Sequence, residues 1–218
     1  MSQHWDNLIV LAECIFRKLV DFDKDGIDLD FLCTTKTINA CKSCDIFMSE
    51  IHKQAPHEQK VAEVPIGVAK ALGTRFDDYR NRLDRSILPM TKYPPPKEVT
   101  LLVFTNGLWL LDNGQKDHVE TAIIGFVKEL SKDRRGTIRT RGFSIQFIQF
   151  GDDEKAKRLL VELDDGIEAK CGEYVAPPIL FSTEQLTHHR RDIVDYEPWN
   201  GRFYKIILGS IMKAFDDL

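Results

Sequence analysis

The sequence predicts an α/β fold: a doubly wound, mostly parallel sheet flanked by helices. Three observations carry that expectation. Val99 to Phe104 is a nearly unbroken apolar run closed by the turn signal Thr105-Asn106-Gly107, as in a strand buried on both faces. A second long strand pattern, Phe143 to Phe150, follows the clearest amphipathic helix, Asp117 to Lys132, and leads into another. With 218 residues, the chain suits a single domain over 1–218 rather than two.

The elements follow in order. Between Trp5 and Val20 the apolar residues fall at 5, 8, 9, 12, 15, 16 and 19, the spacing of an amphipathic helix. Asp21 to Gly26 breaks it, and Ile27 to Leu32 alternates apolar residues with Asp28 and Asp30 as a strand with one polar face. The run Asp21-x-Asp23-x-Asp25-Gly26 imitates the front of a calcium loop, but Leu32 stands where a bidentate Glu belongs, so a plain turn is expected. Thr37 to Ile51 reads as a helix with Thr37 as its N-cap. It carries Cys41-Lys-Ser-Cys44, which an interior helical position makes structural rather than redox-active.

Gln54 to Glu63, with Pro56, is a loop. Val64-Pro-Ile-Gly67 then opens a long helix to about Arg85, and Tyr93-Pro-Pro-Pro96 stiffly delivers the central strand. Leu108 to Gly114 reads as a loop that exposes Trp109, Leu110 and Leu111 unless a helix covers them. Gly151-Asp152-Asp153-Glu154 announces the next helix with acidic residues at the positive end of its dipole; paired catalytic carboxylates are the competing reading. Residues 171–191 are irregular around the short apolar run Ile179 to Phe181. Asp192 to Asp195 is expected as a final strand, and a closing helix starts near Gly201.

Composition narrows the function. The formal net charge is −4 with the basic residues scattered, which disfavours a nucleic-acid binder. No apolar run reaches the ~20 residues of a membrane span, and the first residues lack a signal-peptide layout. Five cysteines at irregular spacing fit a reducing compartment, so a cytoplasmic location is expected.

Taken together, Asp23-Lys-Asp-Gly-Ile-Asp-Leu-Asp-Phe-Leu32, Pro65-x-Gly67, V-T-L-L-V-F-T-N-G-L from Val99, F-S-I-Q-F-I-Q-F-G-D-D from Phe143, Leu163-Asp-Asp165, D-I-V-D from Asp192 and K-I-I-L-G from Lys205 resemble, in the same order, the von Willebrand factor A-like domains of fungal type. The resemblance covers nearly the whole chain and implies a metal-ion-dependent adhesion site built from D-x-S-x-S, a threonine and an aspartate. Here D-x-S-x-S is missing with the family's first strand, Val64 stands at the threonine position, and Asn106 stands at the aspartate position. A hard divalent cation needs oxygen ligands, so neither metal nor cofactor is expected.

The missing strand would lie between Ile27–Leu32 and Val99–Thr105. Either those two strands pair directly, or an interior edge is left for another chain.

The resulting expectation is a non-catalytic module that binds a protein partner through Val64, Thr105, Asn106, Gly107, Trp109 and Asp152. The alternatives are an enzyme, either a thiol oxidoreductase using Cys41 and Cys44 or a hydrolase using Asp152 and Asp153, and a degenerate fragment with no role of its own.

Overall fold

A computed structural model describes residues 4–21, 23–32, 36–55, 67–87, 97–111, 114–132, 143–171 and 179–186. Gln115, Glu168 and 179–186 are described as backbone only. Val64, the expected strand at Asp192–Asp195 and the closing helix from Gly201 lie outside these residues.

The chain is mixed α/β. Its elements are α1 (Trp5–Leu19), β1 (Ile27–Asp30), β2 (Thr37–Cys41), α2 (Cys44–Lys53), α3 (Val68–Ile87), β3 (Val99–Thr105), α4 (Gln115–Ser131), β4 (Phe143–Phe150), α5 (Glu154–Cys171) and β5 (Ile179–Leu186). A 3₁₀ turn at Leu108–Leu111 occupies part of the expected loop.

β3, β4 and β5 form a parallel sheet in that order, with Val99 opposite Phe143 and Phe143 opposite Ile179. Successive parallel strands laid down in one direction carry their crossover helices to one face, because such crossovers are right-handed. Accordingly α4 and α5 share a face, and α3 joins them. Their core contains Phe76, Tyr79, Phe126, Ile123, Leu160 and Leu163, together with Phe143, Ile145 and Phe147 of β4. The opposite face belongs to α1 and α2: Leu11, Ile15, Phe16, Phe47 and Ile51 pack with Ile148 and Phe150. Alternation along β4 sends its side chains to the two cores in turn, and every residue of the strand is buried.

Three expectations need correction. Residues 37–41 are a strand rather than the start of a helix, and β2 pairs antiparallel with β1. The true cap of α2 is Ser43, whose side chain accepts a hydrogen bond from the Ile46 backbone N–H. The apolar and β-branched pair Thr37-Ile38 favours the strand, and the polar Lys42-Ser43 step ends it. The run at Ile179 extends to Leu186 as β5, because pairing along all of β4 carries Ser182 to Gln185, whose composition alone argues for a turn.

Finally, β1 does not pair with β3. Among the described residues each has one hydrogen-bonded neighbour, β2 for β1 and β4 for β3.

The turn before β1 is structural. Asp23 Oδ1 accepts from the Asp25 N–H at 3.1 Å. Gly26 has φ +93°, and a Cβ there would lie 2.6 Å from the Ala40 carbonyl carbon, so only glycine fits against β2.

Candidate functional site

Parallel strands place their carboxyl ends, and the loops that follow, on one rim of the sheet. In this chain that rim is built by Thr105, Asn106 and Gly107 after β3, by Gln149 to Asp152 at the end of β4, and by His4 at the start of α1.

The first turn spends its polar groups on itself. Thr105 Oγ1 accepts from the Gly107 N–H at 2.9 Å and from Trp109 Nε1–H at 2.8 Å. Asn106 Oδ1 accepts from the Leu108 N–H at 3.3 Å. Such side-chain acceptors bonded to the backbone two residues on are the local stabilisers of a turn. Gly107 has φ +72°, and a Cβ there would stand 3.0 Å from the Ala156 Cβ at the start of α5. The third residue of the T-N-G turn is therefore fixed both by its backbone and by the close approach of a helix.

Trp109 is a packing residue rather than a free contact. Its ring lies against Phe147, centroids 6.1 Å apart, and its indole N–H is held by Thr105. Leu110 is buried beside it. Leu108, 45% exposed, is the residue of this turn that faces outward.

At β4 the two aspartates separate in role. Asp153 caps α5, its Oδ1 accepting from the Ala156 N–H at 2.8 Å. That satisfies one of the unpaired donors of the first helical turn. Asp152 is exposed and takes no part in the cap. It faces His4: burial lowers the His4 pKa from its ordinary value, while the Asp152 carboxylate pulls it back up. Gly151, with φ +100°, allows this approach, since a Cβ there would meet His4 Nε2 at 2.8 Å.

Sequence reasoning missed His4 and Gln149. Gln149 is fully buried beneath Gly107, and neither its Oε1 nor its Nε2 has a hydrogen-bond partner. Gln146, three residues earlier on the opposite face of β4, is in the same state. The available signal was glutamine at two positions of a strand whose only other polar residue is Ser144, where an unpaired buried amide costs on the order of 1–3 kcal/mol.

The two cysteines lie elsewhere, below the α1 and α2 face. Cys41 ends β2, and Cys44 opens α2, so Cys44 does sit at a helix N-terminus, contrary to the interior position expected for it. The dipole does not activate it. Burial raises the Cys44 thiol pKa above its ordinary value, the opposite of what an attacking thiol needs. Cys41 Sγ donates to the Ser43 carbonyl at 3.4 Å, and both thiols are free. Among the described residues no three His, Cys, Asp or Glu side chains gather as a metal site, and no helix is long and apolar enough to cross a membrane.

Set against protein-family models, curated proteins and solved structures, the chain matches none.

Proposed function

We propose that this chain is a non-catalytic protein-interaction module of the von Willebrand factor A kind, doubly wound but short of its first strand, that engages a protein partner through its strand-end loops without a metal ion. The observation that carries this reading is the self-contained Thr105-Asn106-Gly107 turn. The two side-chain oxygens that this turn could offer an ion, Thr105 Oγ1 and Asn106 Oδ1, accept three hydrogen bonds from the chain itself. Neither is a carboxylate, so the donor set does not suit Mg²⁺ or Ca²⁺.

The chemistry of hydrolysis is likewise short of groups, since Asp153 is committed to its helix. Leu108 after β3 and Asp152 after β4 are both exposed, an apolar residue and a negative charge at two strand ends of the rim. A partner surface presenting an apolar residue and a lysine or arginine fits them.

The test has two arms. Calorimetric titration with Mg²⁺ and Ca²⁺ is expected to show no binding tighter than the millimolar range of weak oxygen-ligand sites. Affinity capture with wild type, Leu108→Asp and Asp152→Lys is expected to show one or more proteins retained by wild type and lost with both variants, while circular dichroism stays unchanged. Tight cation binding, or capture indifferent to both substitutions, would overturn the reading. The thiol alternative has its own check: iodoacetamide titration of Cys44 should follow an ordinary or raised thiol pKa, and a lowered one would restore it.

A further inference from the structure

Ile38 and Cys41 of β2 are three residues apart, an odd interval that a regular strand sends to opposite faces. Both nevertheless pack in the α1 and α2 core, where Cys41 is buried. A bulge makes this possible. Thr37 stands opposite Asp30 and Ile38 opposite Leu29, but Cys41, not Ala40, stands opposite Ile27. Asn39 and Ala40 thus share the place of one residue across from Asp28, and both are exposed.

The bulge is held against its own backbone preference. Ala40 has φ +53°, in the left-handed region where the Cβ of an L-residue crowds the carbonyl oxygen that follows. It is the one non-glycine residue so placed among the described residues, and a left-handed bulge position ordinarily takes glycine. Asp28 offsets that strain. Its Oδ1 accepts from the Ala40 N–H at 2.8 Å, while its Oδ2 binds Arg75 of α3 at 3.2 Å. Arg75, itself bound to Asp30 at 2.5 Å, fixes where the Asp28 carboxylate points.

A second register is open to the same residues. With the pairs Asp30–Thr37 and Leu29–Ile38 kept, a regular ladder sets Asn39 opposite Asp28 and Ala40 opposite Ile27. Ala40 then leaves the left-handed region, and its methyl takes the place of the thiol in the core. Alternation turns Cys41 to the face of Asp28 and Asp30, opposite Gly26, which has no side chain to obstruct it. Each register therefore has what the other lacks. The bulged one buries the Cys41 side chain and gives Asp28 a backbone donor, whereas the regular one relaxes Ala40 and completes the ladder.

We infer that the β1–β2 hairpin is a two-register switch that gates the Cys41 thiol, with Asp28 as the latch of the closed, bulged register. In the open register the thiol is offered to solvent and to thiol-reactive molecules; in the closed one it belongs to the core and donates to the Ser43 carbonyl. The device is built from the hairpin alone and does not depend on the role of the rim.

Chemical exchange saturation transfer NMR on the whole chain reads both registers directly. The expected result is a minor state of about 1%, confined to residues 26–30 and 37–43, in which the Ala40 Cα and Cβ shifts are those of a strand. Ala40→Gly, which removes the cost of the left-handed backbone, is expected to lower its population about tenfold. Asp28→Ala, which removes the latch, is expected to raise it about tenfold, and Asp28→Asn, which keeps an acceptor oxygen, to raise it less. Iodoacetamide labelling gives an independent reading, because cleavage after Lys36, Lys42 and Lys53 puts Cys41 and Cys44 on separate peptides. The Cys41 rate should follow the minor state in every variant, and the half-buried Cys44 should keep its own.

Three results would overturn the inference. Absence of exchange at these residues would leave the hairpin with one register. A minor state with disordered shifts through α1 and α2 would be local unfolding rather than a slip. A Cys41 rate indifferent to Ala40→Gly and Asp28→Asn would detach the thiol from the hairpin's register. Glycine suits the observed backbone at position 40, so these two variants decide the matter even where Asp28→Ala does not fold.

Discussion

Beneath α3, α4 and α5 the sheet is covered by helices that the chain lays down as it adds strands, whereas beneath α1 and α2 it is covered from a distance. On the first face Phe76 stacks on Phe126 at 4.1 Å, and Phe143 meets Phe76, Tyr79 and Phe126 edge-on at 5.2–5.5 Å. Two of the three helices there are crossovers of the hydrogen-bonded sheet itself. On the second face the main aromatic contact, Phe16 with Phe47 at 4.4 Å, is between helices that flank the β1–β2 hairpin, which shares no ladder with β3. The lesson is that equal burial need not mean equal integration. One face is tied to the sheet by backbone hydrogen bonds and side chains, the other by side chains and ion pairs.

The strongest way to break that comparison is to make the same deletion on each face. Phe143→Ala and Phe16→Ala each remove a fully buried ring and are each expected to cost about 3–5 kcal/mol in urea denaturation. Their exchange patterns should differ. Phe143→Ala is expected to speed exchange throughout, and Phe16→Ala to speed it first in α1, α2, β1 and β2 while β4 and α5 keep their protection. If both variants loosen every element alike, the faces form one cooperative unit and the comparison fails.

Gly26→Ala probes the hairpin alone. Strain from a positive φ costs roughly 1–3 kcal/mol, and the overlap of the new Cβ with the Ala40 carbonyl adds to it. A shift in the urea midpoint smaller than that of Gly107→Ala would mean that the hairpin can open without loosening the rest.

These contrasts also explain what the sequence disclosed. The long apolar strands β3 and β4 and the helices α1, α3, α4 and α5 were legible because their periodicity spans many residues and one burial pattern dominates each. β5 was half legible: Ile179 to Phe181 showed, but Ser182 to Gln185 become strand through pairing with β4, a long-range effect that local composition does not carry. β2 was misread as helix because Thr37 resembles a cap until Ser43 is seen to do that work. At the rim, Gly107 and the capping role of the Asp152-Asp153 step could be read from turn chemistry. Trp109 could not, since an aromatic residue after a turn gives no sign of whether its indole N–H will find Thr105. Gln149 and His4 were invisible because their significance is a matter of neighbours contributed by other strands and helices.

A smaller effect separates the buried amides from the packing around them. Gln146 faces the α1 and α2 side of β4 with both amide atoms unpaired. Replacing it with leucine removes a desolvated polar group, and Gln146→Leu is expected to raise the urea midpoint, by about 1 kcal/mol in stability. A loss of stability instead would show that the amide has a partner in solution, most simply a bound water, and that this face is wetter than the other.

The smallest expected effect concerns the ion pair that ties the entrance of β1 to that of β3. Lys97, by its hydrogen bond and then its charge, holds the Asp25 carboxyl below its ordinary pKa, and Asp25 in turn raises Lys97, again chiefly through the hydrogen bond. For a depressed carboxylate the stabilisation is present above the unfolded value, about 4, and is lost as pH falls through the folded value. For a raised lysine it is present below the ordinary value, near 10.4, and is lost as pH rises through the folded one. The difference in urea midpoint between wild type and Asp25→Asn should therefore form a plateau across neutral pH and shrink at both ends. Added salt should flatten the plateau, because both side chains are exposed. A difference that does not vary with pH would mean that the pair contributes nothing, leaving Arg75 and the α1–α2 core to hold the hairpin against the rest of the molecule.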